Sequence, residues 1–489
     1  MNTPATNTQT ISSDPHLDSA MAAQNRLVIY LLLVSTFVVI LNETLMGVAL
    51  PHLMHDLSIT ASAAQWLTTA YLLTMATVIP VTGYLLQRLN TRPVFMLAMV
   101  AFSLGTLISA LAPGLNLLIL GRIVQALGTA LMMPLLMTTI MTLVPPESRG
   151  KTMGEISIVI SVAPALGPTI SGLILSTLDW RWLFWLVLPI ALGSLVLGMR
   201  LIVNVSTPTD APIDLLSVPL AGIGFGGLVY GLNTIGEVSQ VQSGGLAGMT
   251  VAIAIVALGL FIIRQFALQK SDRALLDLRT LNSKNFLMSI ITMAICMMSL
   301  FGTFILLPIY LQHVLGLDTL KTGLLMLPGG LIMGLLAPTV GRLYDKYGPG
   351  YLIIPGTIMV SAVSWWMTTL TENTPSFGLM VAHIVLSIGL ALTFTPLFTA
   401  SLGSLPAKLY SHGSALLGTV QQLAGAMGAA LFVALMSRES ATLLANQLSA
   451  AAATAGGIRA AFFWGAVIST LAIVAASFVK KPDIDLNAH

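Results

Sequence analysis

The stretch GYLLQRLN at residues 83–90 recurs as GRLYDKYG at residues 341–348, with glycine, leucine and a basic residue at the same three positions. A second pair of similar segments surrounds two prolines: VALPHLMHDLSITASAAQW contains Pro51, and ILLPIYLQHVLGLDTLKTG contains Pro308. The two pairs are separated by 258 and 257 residues, so a single internal repeat explains both. The chain is therefore predicted to consist of two related halves.

The composition is that of a membrane protein. Of the 489 residues, 56% are hydrophobic and only 8% are charged, and the mean hydropathy is +0.91, whereas a soluble domain carries roughly a quarter charged residues. This excludes a soluble enzyme, a disordered chain and a coiled coil. A net charge of +3 without a basic stripe excludes a nucleic-acid binder. The single cysteine, Cys296, excludes a disulfide framework and a cysteine-based metal site.

Outward from the repeated segments, the chain is a series of apolar runs bounded by charged residues, proline or glycine. A helix needs about 20 apolar residues to cross the hydrocarbon core of a bilayer, so runs of this length predict membrane spans. Fourteen spans are predicted, at residues 27–50, 64–86, 93–112, 115–141, 153–176, 183–203, 215–235, 246–267, 286–311, 322–340, 350–370, 376–400, 412–436 and 459–479.

The repeat maps spans 1–6 onto spans 9–14 and leaves spans 7 and 8 as an insertion. We therefore predict an all-α polytopic membrane protein with 14 transmembrane helices, formed by two six-helix pseudo-repeat bundles and an inserted helix pair. The predicted parts are a disordered cytosolic tail (1–26), an N-terminal bundle (27–203), the inserted pair with cytosolic linkers (204–285), a C-terminal bundle (286–480) and a second cytosolic tail (481–489).

The basic residues predict the orientation of the chain in the membrane. With a cytosolic N-terminus, 16 of the 21 lysines and arginines fall on cytosolic segments and four on outer segments, while Arg122 lies within a span. Cytosolic loops of membrane proteins carry an excess of positive charge. Both termini are therefore expected in the cytosol.

Five motifs then occur in order on the appropriate spans. Residues 83–92 resemble G-x-L-x-D-R-x-G-R-K, with Gln87 at the aspartate position, and the second copy keeps an aspartate, Asp345. Residues 122–128 resemble R-x-x-Q-G-x-G, and residues 164–172 resemble G-P-x-x-G-G. The end of span 1 resembles L-D-x-T-x-x-N-V-A-L-P, with Asn42 at the aspartate position and Glu43 following it.

With these motifs, residues 27–480 resemble the major facilitator superfamily, specifically its fourteen-helix drug:proton antiporter family. The resemblance implies a proton-coupled secondary active exporter of amphipathic or cationic drugs that works by alternating access and is not an enzyme. The expected partners are small amphipathic substrates, protons and the lipid bilayer, with a proton gradient in place of a cofactor. A monomer in a bacterial inner membrane is expected, with neither catalytic residues nor a metal site.

The resemblance also implies roles for the motif residues. The loops after spans 2 and 10 are expected to hold neighbouring helices in one gating state, and the span 5 motif is associated with antiporters. The residues concerned are Gly83, Arg88, Arg92, Pro164, Gly167, Pro168, Gly172, Gly341, Asp345 and Lys346. The two prolines and small residues of span 5 suit a bent helix that acts as a seal or hinge, or one that simply packs closely.

Glu43 and Arg122 are ionisable groups deep within predicted spans, where an insertion cost of about 2.5–3.5 kcal/mol demands an explanation. Each lies about 10 Å below the outer surface at 1.5 Å per helical residue, so the two side chains could pair. Glu43 is the predicted proton-coupling acid, because its protonation can depend on which way the cavity faces. A contact with a cationic substrate and a static buried ion pair are the alternatives.

Three further groups are secondary acid or base candidates. Glu155 follows Lys151 by four residues and either relays protons or forms a salt bridge at the membrane interface. Asp214 begins span 7 and either gates or caps that helix. His383 either relays protons or is a hydrogen-bonded core histidine. The segment GIGFGG at 222–227 lacks the preceding strand of a dinucleotide loop, so that interpretation is rejected.

Polar and aromatic residues near mid-span are the predicted walls of a substrate pocket, because such side chains adapt to varied apolar ligands. They are Asn42, Trp66, Tyr71, Gln125, Tyr230, Phe301, Phe304 and Phe394.

Other functions remain open from the sequence. An exporter of an endogenous lipid, amino acid or metabolite, or a proton-coupled importer, fits the same spans. A polytopic membrane enzyme or receptor would need clustered acidic, histidine or cysteine groups at one interface, and the outer loops offer scattered single groups. The chain lacks the glycine-rich ATP-binding signature, which argues against direct coupling to ATP.

Overall fold

A computed structural model describes residues 15–205, 208, 214–237 and 244–482. These residues form helices and connecting loops, with no β-strand among them, which confirms the predicted all-helical fold. The membrane-length helices are α1 (Pro15–Asp56), α2 (Ala61–Arg88), α3 (Thr91–Ala110), α4 (Leu115–Leu143), α5 (Arg149–Leu175), α6 (Trp182–Leu201), α7 (Ser217–Ala221, Gly222–Gly226 and Gly227–Glu237), α8 (Gly244–Leu268), α9 (Lys284–Ile309), α10 (Thr319–Tyr347), α11 (Gly350–Met367), α12 (Ser376–Gly403), α13 (Tyr410–Ala445) and α14 (Ala450–Ser477).

The fourteen predicted spans correspond one to one with these helices. In the described part of the chain, thirteen helices are long and apolar enough to cross a membrane without interruption. The remaining span, α7, contains a π-helical turn at Gly222–Gly226, and a second π-turn at Tyr310–Val314 continues α9. Helix α1 extends back to Pro15, and residues 1–14 and 483–489 lie outside the described range.

Polar side chains begin several of the helices. Thr60, Ser283, Asp318 and Ser449 each accept a hydrogen bond from the backbone N–H three residues further on, at the start of α2, α9, α10 and α14. Such caps satisfy backbone donors that the first turn of a helix leaves unpaired. The end of α10 uses Gly348, whose φ of 82° favours glycine.

The contacts between helices repeat with an offset of eight. In the N-terminal half, α1 packs on α5 and α6, α2 on α4, and α3 on α4 and α6. In the C-terminal half, α9 packs on α13 and α14, α10 on α12, and α11 on α12 and α14. The helix pairs in contact therefore follow the internal sequence repeat.

The two halves meet along two related seams. Helix α5 packs on α10 along one seam, and α2 packs on α13 along the other. The inserted helices α7 and α8 pack on each other, and α7 also contacts both α2 and α13. The insertion therefore lies against one seam and not the other.

Candidate functional site

A cavity of about 530 Å³ lies between the two halves. It is bordered by the C-terminal half of α1, the N-terminal half of α2, one residue of α7, the C-terminal half of α9, and α13. Four lining residues carry polar side chains (Gln65, Thr68, Thr69 and Gln422), and none carries a charge. The lining residues are Gly47, Leu50, Met54, Ala64, Gln65, Thr68, Thr69, Leu72, Val229, Phe301, Ile305, Gln422, Gly425, Ala426 and Ala429.

The cavity ends where α2 and α13 approach each other. The Gln422 amide lies 3.9 Å from the Met75 sulfur, and a β-carbon at Gly418 would lie 3.1 Å from an Ile79 methyl group. These contacts between α2 and α13 form the floor of the cavity. Beyond the floor, the two halves remain in contact up to the surface that carries the α2–α3 and α10–α11 loops. We call that surface the basic face, after the lysines and arginines of its loops.

Asp345 joins the two halves at the basic face. Its carboxylate accepts hydrogen bonds from the Gly150 N–H at 2.8 Å and the Lys151 N–H at 2.9 Å, at the start of α5. A carboxylate at this position is favoured by the unpaired N–H groups and by the positive end of the helix dipole. Gly341 makes the approach possible, because a β-carbon there would collide with the Gly150 carbonyl oxygen. The predicted motif residues Asp345 and Gly341 thus meet the other half of the protein.

The related seam uses different chemistry. The Gln87 amide, at the position equivalent to Asp345, donates to the Lys408 carbonyl at 2.8 Å. A β-carbon at Gly83 would lie 2.9 Å from Nδ1 of His412, so glycine allows α2 to pack on α13 here. The basic face is therefore closed along both seams, while the opposite face holds the cavity.

The other motif residues stay within one half. Arg92 donates from its backbone to the Asn204 side chain at 3.2 Å and from its guanidinium to the Met199 carbonyl, which ties α3 to the end of α6. Lys346 lies over the Tyr347 ring at 4.9 Å. Arg88 ends α2 at the basic face.

The span 5 motif packs against α1 inside the N-terminal half. A β-carbon at Gly167 would collide with the Thr44 side chain, and the Ser171 hydroxyl donates to the Leu45 carbonyl at 3.0 Å. Pro164 lies one turn before this contact, a β-carbon at Gly172 would meet no described atom within 4 Å, and the Pro168 side chain lies outside the description. The motif thus allows α5 to lie close to α1 beside Glu43.

Glu43 lies on the cavity side of α1. The lining residues Gly47, Leu50 and Met54 form a stripe with spacings of three and four, and Glu43 continues that stripe one turn deeper. Its side chain is half-buried. Among the described residues, no ion pair within 4 Å joins it to Arg122, so the pairing that the sequence allows is not formed in this conformation.

Arg122 instead contacts neutral groups. Its guanidinium donates to the Asn42 side chain at 3.1 Å and to Gln125 at 3.0 Å, and it lies 4.0 Å from the centre of the Tyr71 ring. Gln125 in turn donates to Thr106 at 2.8 Å. One residue along a helix rotates the side chain by about 100°, so Asn42 reaches Arg122, while Glu43 continues the stripe of Gly47, Leu50 and Met54.

The two secondary acid candidates, Asp214 and Glu155, differ in their partners. Asp214 accepts from the Ser217 N–H at 3.1 Å and forms a two-pronged ion pair with Arg264 at 2.6 and 2.7 Å. These bonds, with that of Arg264 the strongest, lower the pKa of Asp214 to about 2. Its carboxylate thus accepts the backbone N–H of the first residue of α7, whereas Leu216 occupies the N-cap position. The proposed Glu155–Lys151 salt bridge is not among the ion pairs of the described residues.

His383 occupies the place in α12 that Arg122 has in α4, since each lies seven residues after the first residue of its helix. It is buried against α10, where a β-carbon at Gly329 would lie 2.5 Å from Cδ2 and 2.8 Å from Nε2 of its ring. Gly329 therefore leaves room for the imidazole.

The predicted pocket residues divide into four groups. Phe301 lines the cavity. Asn42, Tyr71 and Gln125 belong to the buried Arg122 network, and Trp66 stacks on Tyr230 with ring centres 5.8 Å apart beside the cavity. Phe394 is buried in the core, and Phe304 is exposed on the surface of α9, so neither lines the cavity.

Sequence reasoning missed most of the lining. Gly425, Ala426 and Ala429 form a small-residue face on α13, and Gln422 lies one turn before it. The spacing of three and four residues was the available signal. Among the described residues, no group of three or more His, Cys, Asp or Glu side chains could hold a metal ion.

Comparison with known proteins agrees with this architecture. The sequence profile of the Major Facilitator Superfamily matches residues 32–429. The lincomycin resistance protein of Bacillus subtilis is 39% identical over 93% of this chain and 95% of its own length. The multidrug resistance protein B homolog of Mycobacterium tuberculosis is 28% identical over 81% of this chain and 73% of its own length.

Solved structures share the fold. The human organic anion transporter MFSD10 aligns with a TM-score of 0.65 at 15% identity, covering 92% of this chain and 99% of its own. The proton:xylose symporter XylE aligns with a TM-score of 0.62 at 16% identity, covering 93% and 95%. Identities this low support the fold and carry nothing about substrates.

Proposed function

The chain belongs to the major facilitator superfamily and is a transporter rather than an enzyme; on that premise, we propose that it exports amphipathic drug-like compounds in exchange for protons by alternating access. The observation that carries the proposal is the cavity between the two halves, with Glu43 one helical turn beyond its lining. Substrate and coupling groups of such transporters lie near mid-membrane between the halves.

The orientation follows from the charge bias of the loops. Cytosolic loops carry the excess of lysine and arginine, so the basic face lies in the cytosol together with both termini. The cavity then opens to the outside, and the contacts of Asp345 and Gln87 close the cytosolic side. This arrangement is the outward-facing state of the cycle.

Glu43 is the proposed coupling acid. In the outward-facing state, its half-buried carboxyl receives a proton from the external medium through the cavity. A neutral carboxyl costs less to enclose than a carboxylate, so protonation favours closure of the outer side. When the basic face opens, Glu43 releases the proton to the cytosol and substrate enters. A proton that moves into the cell releases about 2.3 kcal/mol of free energy per 100 mV of inside-negative membrane potential.

The cavity lining supports the substrate class. Its mostly apolar walls with two glutamines and two threonines suit a compound with a large apolar surface and a few hydrogen-bonding groups. A cationic centre on the same compound would lie towards Glu43, beyond Gly47. The names of the bacterial relatives, which include lincomycin and multidrug resistance proteins, favour drugs over nutrients.

We assign the protein to a bacterial inner membrane, acting as a monomer. The bacterial relatives support the location, and the substrate cavity is formed by a single chain. No cofactor is required, because the proton gradient supplies the driving force.

The test is transport of ethidium by purified protein in liposomes under an imposed pH gradient. The parent is compared with Glu43→Gln and with Glu147→Gln, a matched control at an exposed loop position. We expect gradient-driven transport in the parent and the control, and loss of the gradient response with retained binding in Glu43→Gln. Unchanged transport in Glu43→Gln removes it from coupling, and substrate moving with the proton flux indicates an importer instead.

A further inference from the structure

The contacts at the floor of the cavity fix the register between α2 and α13. A β-carbon at Gly418 would lie 3.1 Å from Ile79, and one turn further along α13 the Gln422 amide nitrogen lies 3.9 Å from the Met75 sulfur. Residue numbers rise along α13 as they fall along α2, so the two helices are antiparallel. The same register can be followed outward from the floor into the cavity lining.

Small residues on α13 leave the space in the next two turns. The register pairs Leu72 with Gly425 and Thr68 with Ala429, and all four residues line the cavity. Glycine and alanine have little or no side chain to span the gap between the two helices. Space for a ligand therefore remains opposite Leu72 and Thr68.

The threonines of α2 differ in their hydrogen bonds. Thr74 and Thr77, which lie outside the lining, donate to carbonyl oxygens four residues earlier, at 2.7 and 2.9 Å. Thr68 is a half-buried lining residue, and its hydroxyl has no hydrogen-bond partner among the described residues. That hydroxyl can therefore donate to a ligand and accept from it.

Gln422 supplies a second polar group, from the other half of the protein. Its side chain is half-buried, and within the described part of the chain its amide contacts only the Met75 sulfur. A thioether sulfur is a weak acceptor, so a ligand oxygen can take its place, and the amide oxygen can accept from a ligand donor. The neighbouring Gln421 has the same kind of contact, 3.9 Å from the Met293 sulfur of its own half, but lies outside the lining.

The two polar groups are separated by two turns of helix. Met75, the contact of Gln422, follows Thr68 by seven residues, which places the amide and the hydroxyl about 10 Å apart along the seam. Apolar lining lies between them, including Leu72 and, from α9, Phe301. No lining residue carries a charge, and a charge enclosed without a partner is costly, so uncharged polar groups fit these two positions best.

We propose that Gln422 and Thr68 select compounds that carry two uncharged hydrogen-bonding groups at opposite ends of an apolar body, about 10 Å apart. This inference rests on the proposed export function and specifies the substrate class of its cavity. Because the two residues belong to different halves, such a compound binds both halves at once in the outward-facing state. A compound with one polar group, or with two groups closer together, is held by one of the two residues only.

Binding to the purified protein in detergent tests the two positions without transport. Biphenyl-4,4′-dicarboxamide carries two amides about 10 Å apart, the length of two helical turns. Biphenyl-4-carboxamide carries one amide, and terephthalamide carries two on a single ring. By equilibrium dialysis of the radiolabelled compounds, the parent should bind the biphenyl dicarboxamide about tenfold more tightly than either of the others.

Single substitutions remove one polar group at a time. Gln422→Met and Thr68→Val should each weaken dicarboxamide binding about tenfold and change monocarboxamide binding by no more than about twofold, because the single amide uses the remaining position. Gln421→Met and Thr74→Val, outside the lining, are the matched controls and should bind both compounds like the parent. Thr68→Ser keeps the hydroxyl and should also bind like the parent, and Gln422→Leu is used if Gln422→Met does not fold.

The outcomes separate this inference from the proposed function. Equal binding of the two biphenyl compounds by the parent, or binding of neither, overturns the pair of positions. A loss of dicarboxamide binding in Gln421→Met or Thr74→Val as large as that in the lining variants also overturns it. The expected affinities in a parent that transports no compound under a pH gradient overturn the proposed function and leave the two binding positions in place.

Discussion

Asp345→Asn should open the basic face. The carboxylate accepts two backbone hydrogen bonds, at 2.8 and 2.9 Å, from the first turn of α5. A hydrogen bond to a charged group contributes about 1.5–3 kcal/mol, and asparagine keeps one acceptor but presents an NH₂ group to the second donor. A loss of about 1.5–3 kcal/mol raises the ratio of open to closed basic face by about 10- to 100-fold, since 1.4 kcal/mol is a factor of ten.

The assay uses a cysteine that becomes accessible only when this face opens. Ser157 is buried at the α5–α12 contact, where Thr395 donates to its hydroxyl at 2.7 Å. With Ser157→Cys as reporter, the labelling rate is proportional to the open population, so Asp345→Asn should raise it by about 10- to 100-fold. Lys346→Gln is the control, because Lys346 contacts Tyr347 of its own half. An Asp345→Asn rate equal to that of the control would refute the role of this contact.

Three further predictions concern stability. Asn42→Ala should lower the unfolding free energy by about 1–3 kcal/mol, because buried Arg122 loses its acceptor at 3.1 Å; an unchanged Tm in detergent would contradict this. Gly329→Ala should cost about 1–3 kcal/mol by displacing the His383 ring, whereas Gly323→Ala, which has no atom within 4 Å of the added methyl, serves as its matched control; equal melting temperatures would refute the packing argument. Asp214→Asn should destabilise the protein by a constant amount between pH 5 and 8, and the difference should vanish as the pH falls towards about 2, because the pKa of Asp214 is lowered by Arg264; a difference that already disappears near pH 5 would exclude the ion pair.

The sequence was sufficient for the architecture because the bilayer imposes a strict length and polarity on each span. All fourteen spans could be located, including α7, whose π-turn leaves the apolar run intact. The repeat predicted which helices correspond, and the contacts between helices follow that correspondence. The start of α1 was not predicted, because a polar helical extension has the composition of a disordered tail.

The site was harder to predict than the fold. Depth along a helix follows from residue counting, so Glu43 and Arg122 were placed at similar levels, but direction around the helix depends on a rotation of about 100° per residue. Because of that rotation, Asn42 accepts the hydrogen bond from Arg122, whereas Glu43 lies on the side of α1 towards the cavity. The lining by Val229 could not be read from the sequence either, because nothing in it indicates that the inserted pair lies against the α2–α13 seam.

The most direct test of the account is whether substrate moves protons. Purified protein is reconstituted into liposomes that contain a pH-sensitive dye, and ethidium is added without an imposed gradient. Coupling through Glu43 predicts a substrate-dependent proton flux in the direction opposite to ethidium, present in the parent and absent in Glu43→Gln. Ethidium transport without proton movement, or proton movement that persists in Glu43→Gln, would contradict coupling through this carboxyl.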